Sequence, residues 1–194
     1  WSYQPEPVPT TSDNYTVGLV AKYEGFSVEG SVFRTDMENA RAARYGAGLA
    51  YQAKHVESEG FSIGAGYDWV DGYVRVKYAN IDTLINDKPA DSDTGTYLTT
   101  PVGEVITISA AHTFTDWGLT VGGDVEIAPE YNKVPAGSPP FKAYEVVNTF
   151  LEYKPPTHEN LTLRAEVKNI FDETYGARAT YGQDFGEVKP LNQP

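Results

Sequence analysis

The sequence predicts an all-β chain folded as an up-and-down antiparallel meander. Three observations carry that prediction: period-2 alternation, connections sorted by length, and aromatic residues gathered beside the short connections. Alternation comes first, because successive side chains of a strand point to opposite faces. Leu161, Leu163, Ala165 and Val167 share one face, and Thr162, Arg164, Glu166 and Lys168 the other. Phe61, Ile63, Ala65, Tyr67 and Trp69 alternate with Ser62, Gly64, Gly66 and Asp68. Trp117, Leu119, Val121, Gly123, Val125 and Ile127 alternate with Gly118, Thr120, Gly122, Asp124 and Glu126. Val74, Val76 and Tyr78 stand opposite Tyr73, Arg75 and Lys77, and the same pattern runs through 15–23 and 26–32. Eight strands are expected, near 15–24, 26–35, 54–69, 73–83, 105–114, 117–127, 144–153 and 161–170. Residues 46–53 fit either the third strand or the connection before it.

The connections alternate strictly between short and long. Glu24-Gly25, Val70-Asp71-Gly72, Thr115-Asp116 and 154–160 are short; 36–53, 84–104, 128–143 and the stretch from 171 are long. Greek-key sandwiches have no reason to sort loops by end, whereas transmembrane barrels pair short periplasmic turns with longer extracellular loops. Aromatic residues flank the short turns: Tyr23 and Phe26, Trp69 and Tyr73, Phe114 and Trp117, then Tyr153. A ring of aromatics at one level is how such barrels anchor at a membrane interface. Ten residues rising ~3.3 Å each at a ~45° tilt climb roughly 23 Å, near the ~25 Å apolar band of a barrel. The expected fold is therefore an antiparallel up-and-down transmembrane β-barrel segment, with its short turns facing the periplasm.

Composition agrees. Of 194 residues 13% are aromatic, including 14 Tyr, beside 18 Gly, and no apolar run approaches a membrane-spanning helix. The net charge is −12 with no Lys/Arg cluster, which argues against nucleic acid as a partner. Cysteine is absent, so disulfides and thiolate metal sites are excluded. The chain opens at Trp1 and stops at Pro194 inside a predicted loop, so both ends are expected to be cut.

The last third carries a resemblance. Asn160-Leu161-Thr162-Leu163-Arg164, followed by Val167-Lys168-Asn169-Ile170-Phe171-Asp172-Glu173-Thr174-Tyr175, is similar to the C-terminal signature of TonB-dependent outer-membrane receptors. The continuation 178–186 resembles the haem and haemoprotein receptor branch, and weaker similarity reaches 144–147, 55–61 and 12–19. The resemblance implies bacterial outer-membrane localisation and a 22-stranded barrel around an N-terminal plug, importing an iron-containing ligand with energy passed through TonB. It implies that residues 1–194 are barrel wall and extracellular loops, the fourteenth to twenty-first strands by parity, without plug, early strands or final strand. Haem, or haem from a haemoprotein, is the implied substrate; no permanently bound cofactor is expected. The FRAP and NPNL loop that carries a haem-ligating His in that branch is absent, and Gln4–Pro7 matches the stretch just after it.

Candidate residues follow. Tyr97, Tyr131, Tyr175, Arg178 and Tyr181 lie in or beside long loops and are the candidate ligand contacts, with loop packing as the plainer role for the tyrosines. Tyr23, Phe26, Trp69, Tyr73, Phe114, Trp117 and Tyr153 are the candidate interface anchors. His55, His112 and His158 each lack a second ligand at a useful spacing, so no metal site is expected; Asp87, Asp91 and Asp93 with Gly95 lack the spacing of a Ca²⁺ loop. Arg164, Glu166 and Lys168, with Arg75 and Lys77, are expected to form a charge ladder on the inward face. No nucleophile–base pair or phosphate loop points to an enzyme. Two other functions fit parts of the pattern: a soluble adhesin- or lectin-like β module, since alternation alone suits a half-buried sheet, and a passive porin-like channel.

Overall fold

In this computed structural model, residues 9–44, 50–90, 102–158 and 160–176 are described. They form one nine-stranded antiparallel sheet: β1 (Thr11–Tyr23), β2 (Phe26–Arg44), β3 (Ala50–Trp69), β4 (Gly72–Ile85), β5 (Lys88–Pro89), β6 (Gly103–Phe114), β7 (Leu119–Ala128), β8 (Tyr144–Tyr153) and β9 (Leu163–Val167). Each strand pairs with its sequence neighbours, except that the two-residue β5 only folds back on β4, which goes on to pair with β6. The path ends at β1 and β9, which are the two edges of an open sheet.

The registers put the predicted alternation onto two continuous faces. Cross-strand partners share a face, so the pairs Val17–Val32, Val32–Phe61, Ala65–Val76 and Val76–Ile108 join one apolar surface. Ile108–Val125, Val125–Val147 and Thr149–Val167 carry it to β9. The opposite face carries Glu29, Lys77, Asp124, Asn148 and Glu166. On each strand the apolar run ends at a similar level, where Asp13, Arg34, Glu59, Asn80, Glu104 and Glu145 take over. From Tyr15 to Tyr23 or Phe61 to Trp69 the band is about nine residues, roughly 21 Å at a ~45° tilt. Among the described residues nothing covers it on β1: Val17 is 70% and Leu19 81% exposed.

Several boundaries differ from the sequence expectation, beginning with β1, which starts at Thr11. The 36–53 loop is mostly strand, because β2 runs to Arg44 and β3 starts at Ala50. A β-bulge between Met37 and Ala40, with Asn39 at φ 55°, shifts the phase there and hides the alternation. Asn86 and Asp87, both at positive φ, close a tight β4–β5 turn inside the expected 84–104 loop. Trp117 does not start a strand; it ends a single 3₁₀ turn, Thr115–Trp117, between β6 and β7. β9 stops at Val167, not 170, because Asn169 turns the chain at φ 51°. The Glu24-Gly25 turn is as expected, with φ 45° and 87°, the conformation that a twisted two-residue hairpin needs and that glycine adopts without strain.

Burial concentrates at the long-connection end. Ala40, Val56, Ile85, Ala90, Val102 and Tyr131 form one buried cluster, and Ala128, Tyr144 and Val146 another. Most of these side chains sit on the polar face, above the apolar band.

Candidate functional site

The β9 exit is closed by a network of side-chain hydrogen bonds. Asn169, 8% exposed, accepts from the Glu173 N–H at 2.8 Å and donates from Nδ2 to the Glu173 carbonyl at 2.9 Å. Its own N–H donates to Asn148 Oδ1 at 2.9 Å, and Asn148 Nδ2 donates to Asp124 Oδ2 at 2.7 Å. An amide side chain can close such a turn because it mimics a backbone unit and tolerates positive φ. The stretch 169–175 is thus a staple that ends the strand and returns the chain to the sheet. Tyr175 lands on Tyr144, ring centroids 4.8 Å apart, and Tyr144 donates its hydroxyl to Glu126 Oε1 at 2.6 Å. Burial, and then the Glu126 carboxylate, push the Tyr175 phenol above its ordinary value.

The second assembly anchors the β7–β8 connection. Tyr131 pairs with Phe141 across that connection in both directions at 3.0 Å. Its ring lies against Gly103, where a Cβ would stand 2.8 Å from it. Its hydroxyl donates to Asp82 Oδ1 at 3.2 Å, and Lys133 Nζ donates to Asp82 Oδ2 at 2.6 Å. One β4 carboxylate therefore holds two residues of a connection that starts beyond β6. Tyr131 and Tyr175 belong to separate clusters, so the structure does not bring these two candidates together. Tyr97, Arg178 and Tyr181 lie outside the described residues, as do Asp91, Asp93 and Gly95.

The histidines are all accounted for locally. His55 Nε2 meets Asp36 Oδ1 at 2.9 Å, and the His55 N–H donates to Asn86 Oδ1. His158 Nδ1 meets Thr157 Oγ1 at 2.9 Å. His112 is part of the aromatic row described next. Among the described residues no group of three His, Asp or Glu is arranged to hold a metal ion.

At the short-turn end the aromatics of the apolar face touch in sequence. Phe26–Tyr67 centroids are 4.4 Å apart, Tyr67–Trp69 6.0 Å, Trp69–His112 6.2 Å, His112–Phe114 4.7 Å and Phe114–Trp117 5.6 Å. Tyr23 pairs with Phe26 in register, and Tyr153 with Leu119. Tyr73 is not in this row. Its register partners are Asp68 and Ala111, which place it on the polar face under the Arg75 guanidinium, 4.3 Å from the ring centroid. Alternation relative to Val74 already carried that information. Tyr67 and His112 were missed as members, as was a second level of aromatics at the far edge of the band: Tyr15, Phe61 and Tyr78, the last two with centroids 5.7 Å apart. Counting apolar-face aromatics at both ends of each strand would have found them.

The polar face carries paired charges: Lys77–Glu29 at 2.6 Å, Arg75–Asp68 at 2.8 Å, Arg164–Glu152 at 3.5 Å and Lys168–Glu166 at 3.9 Å. Arg164 also lies over the Phe150 ring at 4.1 Å. Exposed pairs like these contribute little stability each, but they define a polar, water-compatible surface.

A two-faced antiparallel meander whose apolar face has no second sheet packed on it among the described residues is the wall of a membrane barrel, and sequence comparison agrees. Residues 3–170 match the family described as TonB dependent receptor-like, beta-barrel. The chain belongs to that family. Among curated relatives, the heme transporter BhuA of Brucella ovis is 27% identical over 151 residues, covering 75% of this chain and 22% of the relative. BhuA of Brucella abortus strain 2308 is 27% identical over 136 residues, covering 69% and 20%. The chain therefore spans about a fifth of the length of the curated relatives it matches. Among solved structures, the FrpB iron transporter from Neisseria meningitidis (F3-3 variant) superposes with a TM-score of 0.66 at 18% identity, covering 92% of this chain and 30% of that one. The copper transporter OprC gives 0.68 at 15% identity, covering 97% and 30%. The ferripyoverdine receptor of the outer membrane of Pseudomonas aeruginosa gives 0.60 at 18%, covering 90% and 25%. TonB-dependent receptor barrels are outer-membrane proteins of Gram-negative bacteria and act as receptors and transporters, not enzymes. The uncovered apolar face also does not suit a soluble sandwich, in which two sheets bury their inner faces against each other.

Proposed function

We propose that this chain is barrel wall and extracellular surface of a TonB-energised importer of an iron-containing ligand, haem before other chelates. The observation that supports it is the family match over 3–170 together with similarity to the BhuA heme transporters across most of the chain. In this reading the apolar face meets outer-membrane lipid, the short-turn aromatics Tyr23, Phe26, Trp69, Phe114, Trp117 and Tyr153 anchor at the periplasmic interface, and the polar face lines the lumen against a plug. Tyr73 serves that lumenal face. The parent receptor would supply the plug and the contact with TonB, and a haemoprotein is the natural extracellular source of haem.

Ligand contact is assigned to the long-connection end, through Tyr97, Tyr131, Tyr175, Arg178 and Tyr181. Tyr175 is half-buried beside Tyr144 and Glu126, so its ring edge is available to a planar ligand. Tyr131 is buried with its hydroxyl on Asp82, so its contribution is to hold the β7–β8 connection in place.

The test is haem titration of the full-length receptor, followed by the Soret band, beside haem-dependent growth of a deletion strain complemented with it. Saturable binding and TonB-dependent growth on haem are expected. Binding of a ferric siderophore with no Soret response would move the substrate away from haem while leaving the importer reading intact.

A further inference from the structure

His112 is a polar ring set into the aromatic row of the apolar face. Its register partners are Gly72 and Val121, the same face as Val74 and Leu119. Trp69 reaches it across the intervening strand: Trp69 Nε1–H donates to His112 Nδ1 at 3.3 Å. Gly72 makes this crossing possible, because a Cβ there would stand 2.7 Å from the Trp69 ring. An indole N–H can only donate, so Nδ1 presents its lone pair and the neutral imidazole carries its proton on Nε2. Phe114 packs edge-on against the same ring at 4.7 Å. Nε2–H is left as a donor on this face, and among the described residues no acceptor is paired with it.

A polar donor facing an apolar medium without an acceptor is destabilising, and a hydrogen-bond acceptor placed there relieves it. His112 lies level with Gly72, the first residue after the Val70-Asp71 turn, and the Thr113 N–H donates to the Asp71 carbonyl at 2.6 Å. That level is the edge of the apolar band, where lipid phosphate oxygens are the strong acceptors. We propose that His112, held by Trp69 across Gly72, is a binding site for the phosphodiester of a glycerophospholipid in the periplasmic leaflet. The proposal rests on the reading that this face meets lipid.

The test uses the full-length receptor in mild detergent, with phospholipid retention counted by native mass spectrometry. His112→Phe keeps the ring contacts and removes the N–H; heat-modifiable migration on gels confirms that the variant is folded. Several-fold lower retention of phosphatidylethanolamine than in the wild type is expected, with no difference for diacylglycerol, which lacks the phosphate. Equal phospholipid retention by the two proteins, or an equal loss for diacylglycerol, overturns the site. Brominated-chain phospholipid checks the reading beneath it. If the part of the emission lost in Trp69→Phe is not quenched, the face assignment fails and the site with it. If it is quenched but His112→Phe retains lipid normally, only the site fails.

Discussion

The two ends of this sheet are built from the same ladder but are stabilised differently. At the short-turn end the strands form a single layer, with Leu19 81% exposed on one face and paired charges on the other. At the long-connection end Ala128 is 0%, Ala40 1% and Val102 1% exposed, packed in the two buried clusters that also hold Tyr131 and Tyr144. Apolar side chains thus have opposite surroundings according to their face and their height along the strand. The lower half leaves its apolar side chains exposed, while the upper half covers them with protein. This contrast explains why turns at the lower end are tight and carry aromatics, and why the upper end carries Asn169, Tyr131 and Asp82 as internal anchors.

The contrast breaks most sharply with a charge at mid-band. Leu19→Arg on the apolar face should destabilise the full-length barrel by about 2–4 kcal/mol, while Val20→Arg one residue on should be near neutral. Unfolding in urea from vesicles compares them, and equal effects would mean that the faces are misassigned. At the upper end, Asn169→Ala removes two hydrogen bonds to Glu173 and leaves alanine at positive φ, a cost of about 2–3 kcal/mol. Faster proteolysis after residue 168, with the lower band intact, is the expected signature.

Gly72→Ala should cost roughly 1–3 kcal/mol, since the new Cβ meets the Ala111 carbonyl and the Trp69 ring. Displacement of Trp69 would appear as a red-shifted emission. Asp82→Asn weakens the hold on Tyr131 and Lys133 by about 1 kcal/mol and should raise protease cutting within 129–143 without altering the band. The smallest effect is electrostatic. Tyr175 has a raised phenol pKa, so its contribution is full below the ordinary phenol value of ~10 and is lost as pH rises through the folded value. Absorbance at 295 nm should show a late-titrating phenol that Tyr175→Phe removes.

Much of the lower half was legible because period-2 alternation and two-residue turns are local signals. Phe61–Trp69, the Glu24-Gly25 turn and the unchanged 144–153 strand needed no long-range information. The upper half was less legible. The Met37–Ala40 bulge reverses which parity faces inward, so the polar and alanine-rich continuation of β2 reads as loop. Asp82 carries no motif; its role exists only because a connection beyond β6 folds back over it. Asn169 was visible as part of a signature, but the signature does not say that its amide closes a turn.

The sequence by itself determined the all-β class, the two faces and the family, since each depends on residue type at short spacing. Only the tertiary structure decided which aromatics touch, and that Tyr131 and Tyr175 belong to different clusters. Those outcomes depend on register between strands that are distant in sequence. A one-residue slip would exchange every side chain between lipid and lumen, and local residue preferences do not record the choice.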